Sequence, residues 1–445
     1  MENNQIFNIK NTTIAFLTLG CKVNSYETEA MQALLLAAGA TLVEFDEMAD
    51  IYVVNTCSVT NMADRKSRQM LHRAKKKNPN AVVVAAGCYA QTAEETAMKE
   101  NGIDVIIGNN QKKQIVEILE QYMAGVENKR LEIGKETEYE ELSLDTQVEH
   151  TRAYVKIQDG CNQFCSYCII PYARGRIRSR KPQEVVAEVK RLARSGYQEV
   201  VLTGIHLSSY GQPAAEGEQP LLSLIQELNT IEGIERIRLG SLEPRIITEN
   251  FVKTLCKCEK VCPHFHLSLQ SGSDTVLKRM NRKYTTAEYA SSVEILKQYY
   301  EAPAITTDII VGFPQETEEE FLETLEFAKK IGFSKIHVFK YSRRKGTVAD
   351  KMSGQVAEPV KQKRSERLMA VEAALGEEYR SRLIGRTEVV LFEESAVVNG
   401  EVCQVGYNER YVRIAAKTTE NLSNQLKNVK ITACSEEKET LLATL

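Results

Sequence analysis

The strongest constraint on the fold is a repeated alternation of short apolar runs with stretches of helical character. Near the N-terminus the runs are rich in Val and Ile, and they span residues 13–19, 51–54, 82–86 and 103–107. Helical patterns fill the stretches between them, residues 24–39, 62–77 and 111–124. Alternating strands and helices form a parallel sheet with helices on both faces. We therefore expect residues 1–125 to fold as a doubly wound parallel sheet.

A cysteine follows each of the first three predicted strands: Cys21, Cys57 and Cys88. Right-handed crossovers gather the ends of parallel strands at one sheet edge, so the three thiols should lie close together. Three thiolates suit a [4Fe–4S] cluster with one iron left without a protein ligand. A single cysteine of this kind would be read as a small buried hydrophobic residue. Three in register after successive strands favour the cluster.

A second alternating series begins at Tyr154 and predicts a central domain over residues 150–375. Its strand candidates are 154–158, 199–203, 236–240, 265–269, 304–311 and 335–340. Its helical stretches are 182–195, 219–230, 248–257, 285–299 and 317–331. Six such steps fit an incomplete (βα)6 barrel, whose chemistry belongs at the C-terminal strand ends. Residues 126–149 carry eight acidic and three basic side chains, which predicts an acidic connector between the two domains.

The first strand of the predicted barrel opens into a C-x3-C-x2-C loop formed by Cys161, Cys165 and Cys168. This spacing can hold three corners of an iron–sulfur cluster, again with one iron free. Zinc is the competing metal, but structural zinc sites normally have four ligands. Neither a second pair of cysteines nor a nearby histidine completes such a set. The loop therefore favours the cluster.

From Thr387 the pattern changes to short strands, which predicts a small antiparallel β-barrel over residues 376–445. Barrels of this kind are used on nucleic acid. The segment 407–413 mixes aromatic and basic groups, as an RNA surface does, in Tyr407, Arg410, Tyr411 and Arg413. Core tyrosines with solvated arginines are the alternative interpretation.

Charge and cysteine content limit the class of protein. The 445 residues include 57 Lys and Arg against 60 Asp and Glu, so the formal net charge is −3 and the chain is no polycation. Its 11 cysteines are an odd number without a recognisable export signal, which indicates metal or redox chemistry rather than disulfides. No apolar run approaches the roughly 18 residues that span a bilayer. We expect a cytoplasmic protein that does not enter the membrane.

The C-x3-C-x2-C loop resembles that of the radical S-adenosylmethionine (SAM) enzymes, with Tyr167 at the aromatic position before the last cysteine. The upstream cysteine triad makes the chain similar to the methylthiotransferases. Other matching stretches are LGCKVNSYETE at 19–29, NTCSVTNMAD at 55–64, GCYAQ at 87–91 and HLSLQSGSDTVLKRMNRKYT at 266–285. The last domain resembles TRAM. The stretches 202–211, 239–244 and 340–347 resemble the branch that acts on N6-threonylcarbamoyladenosine in tRNA.

The resemblance implies two [4Fe–4S] clusters and SAM as cofactors. The cluster on Cys161, Cys165 and Cys168 would bind SAM and reduce it, and hydrogen would be taken from carbon 2 of the adenine. Sulfur would come from the cluster on Cys21, Cys57 and Cys88, and a second SAM would supply the methyl group. Tyr167 would lie against the adenine of SAM. Thr203 and Gly204 would contact its methionine amino group, although they could equally be ordinary turn residues. Gln270 and Asp308 are further candidates for polar contacts.

The implied substrate is a tRNA anticodon stem–loop carrying N6-threonylcarbamoyladenosine at position 37, 3′ of the anticodon, with an electron donor such as flavodoxin or ferredoxin. Two basic clusters lie beside the expected barrel mouth: Arg174, Arg176, Arg178, Arg180 and Lys181, and Arg343, Arg344 and Lys345. Either cluster alone would be interpreted as solvated charge, but their positions after the cysteine loop and after the last strand favour phosphate contacts. The basic helix around 64–77 is a solvated face or a phosphate-binding surface. The alternatives are an isopentenyladenosine enzyme, a radical SAM enzyme of unrelated chemistry, and a non-catalytic, redox-sensing iron–sulfur protein that binds RNA.

Two details depart from this pattern. Gln315 stands in GFPQET where the family usually has Gly, which could alter a turn. Cys256, Cys258 and Cys262 form a C-x-C-x3-C run near two histidines, but the spacing fits no common ligand pattern, and packing is the favoured interpretation.

Overall fold

The computed structural model describes residues 9–127, 130–144 and 151–445. In its N-terminal part, five strands form one parallel sheet in the order β2-β1-β3-β4-β5. The strands are β1 (Thr13–Thr18), β2 (Thr41–Val43), β3 (Ile51–Thr56), β4 (Val82–Ala86) and β5 (Val105–Ile107). The strand order reverses between β1 and β3, because β2 lies outside β1 and β4 lies outside β3. The predicted doubly wound sheet is confirmed.

Helices cover both faces of this sheet. They are α1 (Lys22–Ala37), α2 (Asn61–Lys77), α3 (Gly87–Thr92), α4 (Glu95–Glu100) and α5 (Ile115–Met123). Because β3 is buried at every position, successive side chains supply two cores. Ile51 and Val53 pack on one face, and Tyr52 and Val54 pack on the other. The elements β2, α3 and α4 were not predicted, since three to six residues are too few to show a period.

Six parallel strands form the central domain: β6 (Ala153–Asp159), β8 (Glu199–Gly204), β9 (Arg236–Leu239), β10 (His264–His266), β11 (Ala304–Val311) and β12 (Lys335–Lys340). β6, β8 and β9 make one ladder, and β10, β11 and β12 make another. Isolated parallel bridges, Ile237 to Val261 and Leu242 to Leu267, join the two. Among the described residues β6 and β12 are not paired, so the barrel is incomplete, as predicted.

The barrel strands are joined by helices α6 (Ile170–Arg174), α7 (Pro182–Arg194), α8 (Pro220–Leu228), α9 (Glu249–Leu255), α10 (Asp274–Arg279), α11 (Thr286–Tyr299) and α12 (Glu318–Ile331). A short strand, β7 (Arg178–Ser179), pairs antiparallel with β6. Apolar side chains on the outer faces of the strands pack against these helices, whereas the inner faces carry many polar and charged side chains.

A long helix, α13 (Glu358–Ser381), leads from the barrel into the last domain. There the strands β13 (Thr387–Val398), β14 (Glu401–Asn408), β15 (Arg413–Ala416), β16 (Leu426–Cys434) and β17 (Leu441–Thr444) close into a barrel. The small barrel is confirmed, with one correction: β15 and β17 run parallel. The prediction missed β17 and took β14 and β15 as one strand, which a turn with Tyr411 at φ 62° divides.

The predicted acidic connector, 126–149, lies partly outside the described residues. Its residues 130–144 are mostly irregular and contact both neighbouring domains. Arg130 donates to the carbonyls of Ala90 and Ala93 in the first domain, at 2.6 and 2.8 Å. The Tyr139 hydroxyl donates to the carbonyl of Lys156 in β6, at 2.8 Å. Elsewhere, none of the helices in the described part of the chain is long and apolar enough to span a bilayer.

Candidate metal centres

The first three-thiol site lies at the carboxyl edge of the N-terminal sheet. Cys21 precedes α1, Cys57 follows β3, and Cys88 is the second residue of α3, immediately beyond β4. Cys21 and Cys57 flank the point where the strand order reverses, which is where open α/β sheets bind ligands. Gly20 has φ 110°, and a Cβ on it would lie 2.9 Å from Cys57 Cβ, so only glycine lets these loops approach.

Two nitrogen donors face the sulfur of Cys88. Arg174 Nε donates to Cys88 Sγ at 3.3 Å, and Asn109 Nδ2 lies 3.8 Å from the same sulfur. Burial raises the pKa of Cys57 to about 11. In the metal-free protein Cys57 is therefore a thiol that must lose its proton when it binds a metal.

The second three-thiol site lies where β6 ends. Gly160 has φ 70°, and a Cβ there would lie 1.8 Å from the carbonyl oxygen of Arg176, so the loop can turn only at glycine. The Cys161 amide donates to the Gly175 carbonyl at 3.0 Å, and the Cys168 amide to the Cys165 carbonyl at 2.9 Å. These bonds fold the segment into a compact loop at the mouth of the barrel.

At the second site, as at the first, an arginine donates to one cysteine sulfur. Arg282 Nη1 donates to Cys165 Sγ at 3.2 Å. Burial raises the pKa of Cys161 to about 11 and that of Cys168 to about 12. Each triad thus has one arginine that donates to one sulfur, beside thiols whose burial opposes ionisation.

Neither triad has the dimensions of a zinc site. Among the described residues, the one group of three Cys, His, Asp or Glu side chains whose ligand atoms all lie within 4.8 Å of one another is His266, Asp308 and His337. A tetrahedral ion with Zn–S bonds of about 2.3 Å needs sulfurs closer than that. The wider thiol triads leave room for a multi-iron cluster.

The SAM-contact candidates lie at the same end of the barrel as the second triad. Thr203 and Gly204 end β8, and Gly204 pairs with Gln158 of β6. Tyr167 packs against a buried apolar cluster that includes Phe313, as do Ile310 and Met352. Gln270, with φ 73°, bridges to Ile309 of β11.

The group of His266, Asp308 and His337 was missed by sequence reasoning, apart from Asp308. The register of β10, β11 and β12 brings these side chains to the same face. His266 Nε2 lies 3.3 Å from Asp308 Oδ2, and its Nδ1 is 3.0 Å from Thr306 Oγ1, which fixes the ring. The sequence did carry one signal for this group: His264 and His266 alternate along a strand, which places both side chains on the same face.

The first predicted RNA-binding cluster is largely wrong. Arg174, Arg178 and Arg180 are at most 3% exposed. They are buried in ion pairs: Arg174 with Glu27 and Asp159, Arg178 near Asp159, and Arg180 with Glu188. In the second cluster Arg344 is buried against α2, where it donates to Asn61 and Asp64. Arg176, Lys181, Arg343 and Lys345 remain exposed.

The predicted RNA surface of the last domain is instead an interface with the central barrel. Tyr407 and Tyr411 stack with ring centroids 4.9 Å apart. The guanidinium groups of Arg152 and Arg238 lie 4.8 and 4.7 Å from the Tyr411 ring centroid. Arg410 pairs with Glu388 at 2.9 Å. Neither interpretation from the sequence, an RNA surface or core tyrosines with solvated arginines, included this contact with the neighbouring domain.

The third cysteine run forms no close ligand group within the described residues. Cys258 packs in the barrel core, Cys262 is 1% exposed, and Cys256 Sγ contacts the Lys253 carbonyl at 3.3 Å. Gln315 occupies the glycine-like turn with φ 66°, and its backbone N–H donates to the Gly354 carbonyl at 2.8 Å. The turn is therefore kept, with a side chain in a conformation that favours glycine.

Comparison with known proteins agrees with this geometry. Residues 155–328 match the radical SAM superfamily, and residues 13–108 match the "Uncharacterized protein family UPF0004". The radical S-adenosylmethionine methyltransferase TsrM from Kitasatospora setae has the same fold, with a TM-score of 0.58, 12% identity, and 82% of this chain and 89% of that chain covered. The central domain is thus a radical SAM domain.

Curated relatives extend over nearly the whole chain. A "Threonylcarbamoyladenosine tRNA methylthiotransferase MtaB" from Bacillus subtilis (strain 168) is 44% identical over 427 residues, 94% of this chain and 93% of that protein. Its counterpart from Aquifex aeolicus (strain VF5) is 40% identical over 89% of this chain and 97% of that protein. A "tRNA-2-methylthio-N(6)-dimethylallyladenosine synthase" from Caldicellulosiruptor saccharolyticus is 36% identical over 97% and 88%. The chain belongs to the radical SAM tRNA methylthiotransferase family, whose cofactors are SAM and two [4Fe–4S] clusters.

Proposed function

We propose that this enzyme methylthiolates carbon 2 of N6-threonylcarbamoyladenosine at position 37 of tRNA. The observation that carries the proposal is the pair of three-thiol sites, one at the sheet edge and one at the barrel mouth, each with a single arginine on one sulfur. The nucleoside is chosen because relatives named for it reach 44% identity, against 36% for those named for dimethylallyladenosine.

The residues present fit the cofactors. Cys161, Cys165 and Cys168 would hold one [4Fe–4S] cluster, and Cys21, Cys57 and Cys88 the other. When bound, the clusters supply an electron to SAM and a sulfur atom to the product, and a second SAM supplies the methyl group.

Other side chains at the mouth of the barrel would bind and orient SAM and the target adenosine. Tyr167 would cover the adenine of SAM, and burial raises the pKa of its phenol well above the usual value, which keeps it uncharged. Thr203 and Gly204, at the end of β8, would contact the methionine amino group. Asp308 lies on β11 and Gln270 bridges to the same strand, and both would make polar contacts to SAM or to the target adenosine.

The RNA would lie across the exposed basic face of α2, which includes Arg65, Lys66 and Arg68. This helix contacts the loop after β12, where the backbone N–H of Asn61 donates to Ser342 Oγ at 3.0 Å. Arg343 and Lys345 extend the same charge from that loop. Phosphate contacts from such a surface give affinity that falls with salt. With a tRNA substrate the enzyme would act in the cytoplasm, and a flavodoxin or ferredoxin would supply its electrons.

Iron analysis tests the two sites. We compare the anaerobically reconstituted enzyme with triple Cys→Ala variants at Cys21/Cys57/Cys88 and at Cys161/Cys165/Cys168. Each triple variant should contain about four fewer irons per chain than the wild type, the content of one [4Fe–4S] cluster. The matched control replaces Cys256, Cys258 and Cys262 and should keep all the iron. Unchanged iron in the first variant would favour a radical SAM enzyme of unrelated chemistry.

Nucleoside mass spectrometry tests the substrate. The reconstituted enzyme, SAM and dithionite are incubated with tRNA carrying N6-threonylcarbamoyladenosine and, separately, with tRNA carrying isopentenyladenosine. A methylthio product only in the first reaction is expected. A product only in the second identifies the isopentenyladenosine branch. If neither tRNA is modified and no 5′-deoxyadenosine forms, the chain is a non-catalytic iron–sulfur protein.

A further inference from the structure

The two three-thiol sites are joined by a buried ionic network. Arg174 ends the short helix α6, which follows the barrel cysteines, yet its guanidinium points to the other site. Nε donates to Cys88, while Nη1 and Nη2 donate to Glu27 at 2.8 and 3.1 Å. Nη2 also donates to Asn24 Oδ1 at 2.7 Å, and Nη1 to Asp159 at 3.1 Å. All five N–H groups of Arg174 therefore donate hydrogen bonds, although the side chain is fully buried.

The network carries more positive than negative charge. Its cations are Lys112, Lys156, Arg174 and Arg178, and its carboxylates are Glu27 and Asp159, all with side chains at most 3% exposed. A third carboxylate, Glu140, lies in the field of Lys112 and Lys156 and still leaves one positive charge in excess. Nε and Nη2 of Arg178 have no hydrogen-bond partner in the described part of the chain.

Excess buried charge is costly unless a counter-charge lies nearby. The thiol triad is the adjacent group that can become negative, and Arg174 is the cation of the network that donates directly to one of its sulfurs. Hydrogen bonds to ligand sulfurs and nearby charge are also what set the potential of a cluster.

We propose that Arg174 is a positioning residue of the auxiliary site, which donates to the Cys88 sulfur and raises the reduction potential of the cluster bound there. The inference rests on the proposed function, since it requires a cluster on Cys21, Cys57 and Cys88. One-electron reduction by dithionite adds one negative charge at that site, and Arg174 stabilises the more negative state.

The test isolates the auxiliary site in the full-length chain by replacing Cys161, Cys165 and Cys168 with Ala. In this background Arg174→Gln removes the charge and the donor, whereas Arg174→Lys keeps the charge. The matched control is Lys156→Gln, which removes a cation from the same network without touching a thiol. Iron content and EPR-monitored titrations with dithionite are measured for each variant.

We expect the midpoint potential to become more negative in Arg174→Gln, less so in Arg174→Lys, and least in Lys156→Gln. Selective loss of iron from both Arg174 variants, with the circular dichroism of the parent, would support the same role. Unchanged iron and potential in both Arg174 variants overturn the proposal, as does an equal shift in Lys156→Gln. If the protein with Cys161, Cys165 and Cys168 replaced by Ala binds no iron, the auxiliary cluster itself is refuted, and with it the proposed function.

Discussion

Replacing Glu27 with Gln tests whether the buried network holds the N-terminal domain on the barrel. Glu27 lies on α1, and its carboxylate accepts from Lys156 at 2.7 Å and from Arg174 at 2.8 Å, and lies 3.1 Å from Lys112. Lys156 and Arg174 belong to the barrel, so one carboxylate joins two domains. The substitution keeps the shape and removes the charge, which leaves Asp159 as the carboxylate paired with Lys156 and Arg174.

The expected cost follows from the burial. Removing one partner of a fully buried ion pair typically costs about 3–5 kcal/mol, because the other charges lose their compensation. With a urea m value of about 3 kcal/mol/M, the first unfolding transition should move down by about 1–1.7 M. Circular dichroism against urea measures that shift. The matched control is Asp46→Asn, whose exposed pair with Arg73 should contribute less than about 1 kcal/mol.

The pH dependence gives a second check on the same variant. Burial opposes ionisation of Glu27, but Arg174, Lys112 and Lys156 outweigh it and hold its pKa well below the usual range. A carboxyl whose folded-state pKa is lowered contributes stability that is present above its unfolded pKa of about 4.3 and is lost as pH falls toward the folded value. The difference between wild type and variant should therefore be largest near neutral pH and shrink below about pH 4. A Glu27→Gln midpoint equal to that of Asp46→Asn at pH 7 refutes the reasoning.

Other parts of the chain give three further predictions. Gln315→Gly should raise stability by up to about 1 kcal/mol in urea unfolding, because φ 66° costs a non-glycine residue more than glycine; an unchanged or lower midpoint would show that the Gln315 side chain compensates for the strain. Arg238→Met removes its bonds to the carbonyls of Glu409 and Asn408, so trypsin should cut faster around residues 382–386; unchanged cleavage would contradict that docking role. At pH 8 the metal-free thiols of Cys57 and Cys161, with pKa values of about 11, should react with iodoacetamide on the order of 100-fold more slowly than a free cysteine and speed up as pH rises. Mass spectrometry of the alkylated peptides measures this, and rates like those of free cysteine would show that the thiols are already ionised.

The strands and the cysteine positions could be predicted because both are local features. A strand such as β3 is buried on both faces and appears as a continuous apolar run, and a cysteine just beyond it is read directly from the sequence. The parallel arrangement then follows from the alternation with helices. Short elements such as β7, with two residues, carry no period and were not predicted.

Charged side chains were predicted less well, because a sequence shows charge but not burial. Arg174, Arg178 and Arg180 look like a basic surface, yet Arg174 pairs with Glu27, which is 147 residues away in the chain. Tyr411 likewise meets Arg238 of another domain. Such contacts depend on how two separately folded units meet, and no local pattern encodes that.

The same long-range contacts explain how the two thiol sites keep a fixed relation. Each triad lies at the carboxyl ends of parallel strands in its own domain, so neither fold positions the other. Between them, Asn109 donates to the Ala173 carbonyl at 2.8 Å, and Arg174 donates to Cys88. An apolar contact at this position would allow the domains to slide, whereas buried charges are satisfied in one register only, and a slip of one residue would leave Glu27 and Arg174 unpaired. In the proposed function sulfur would pass from one site to a nucleoside activated at the other, and that register would then set the distance between the two reactions.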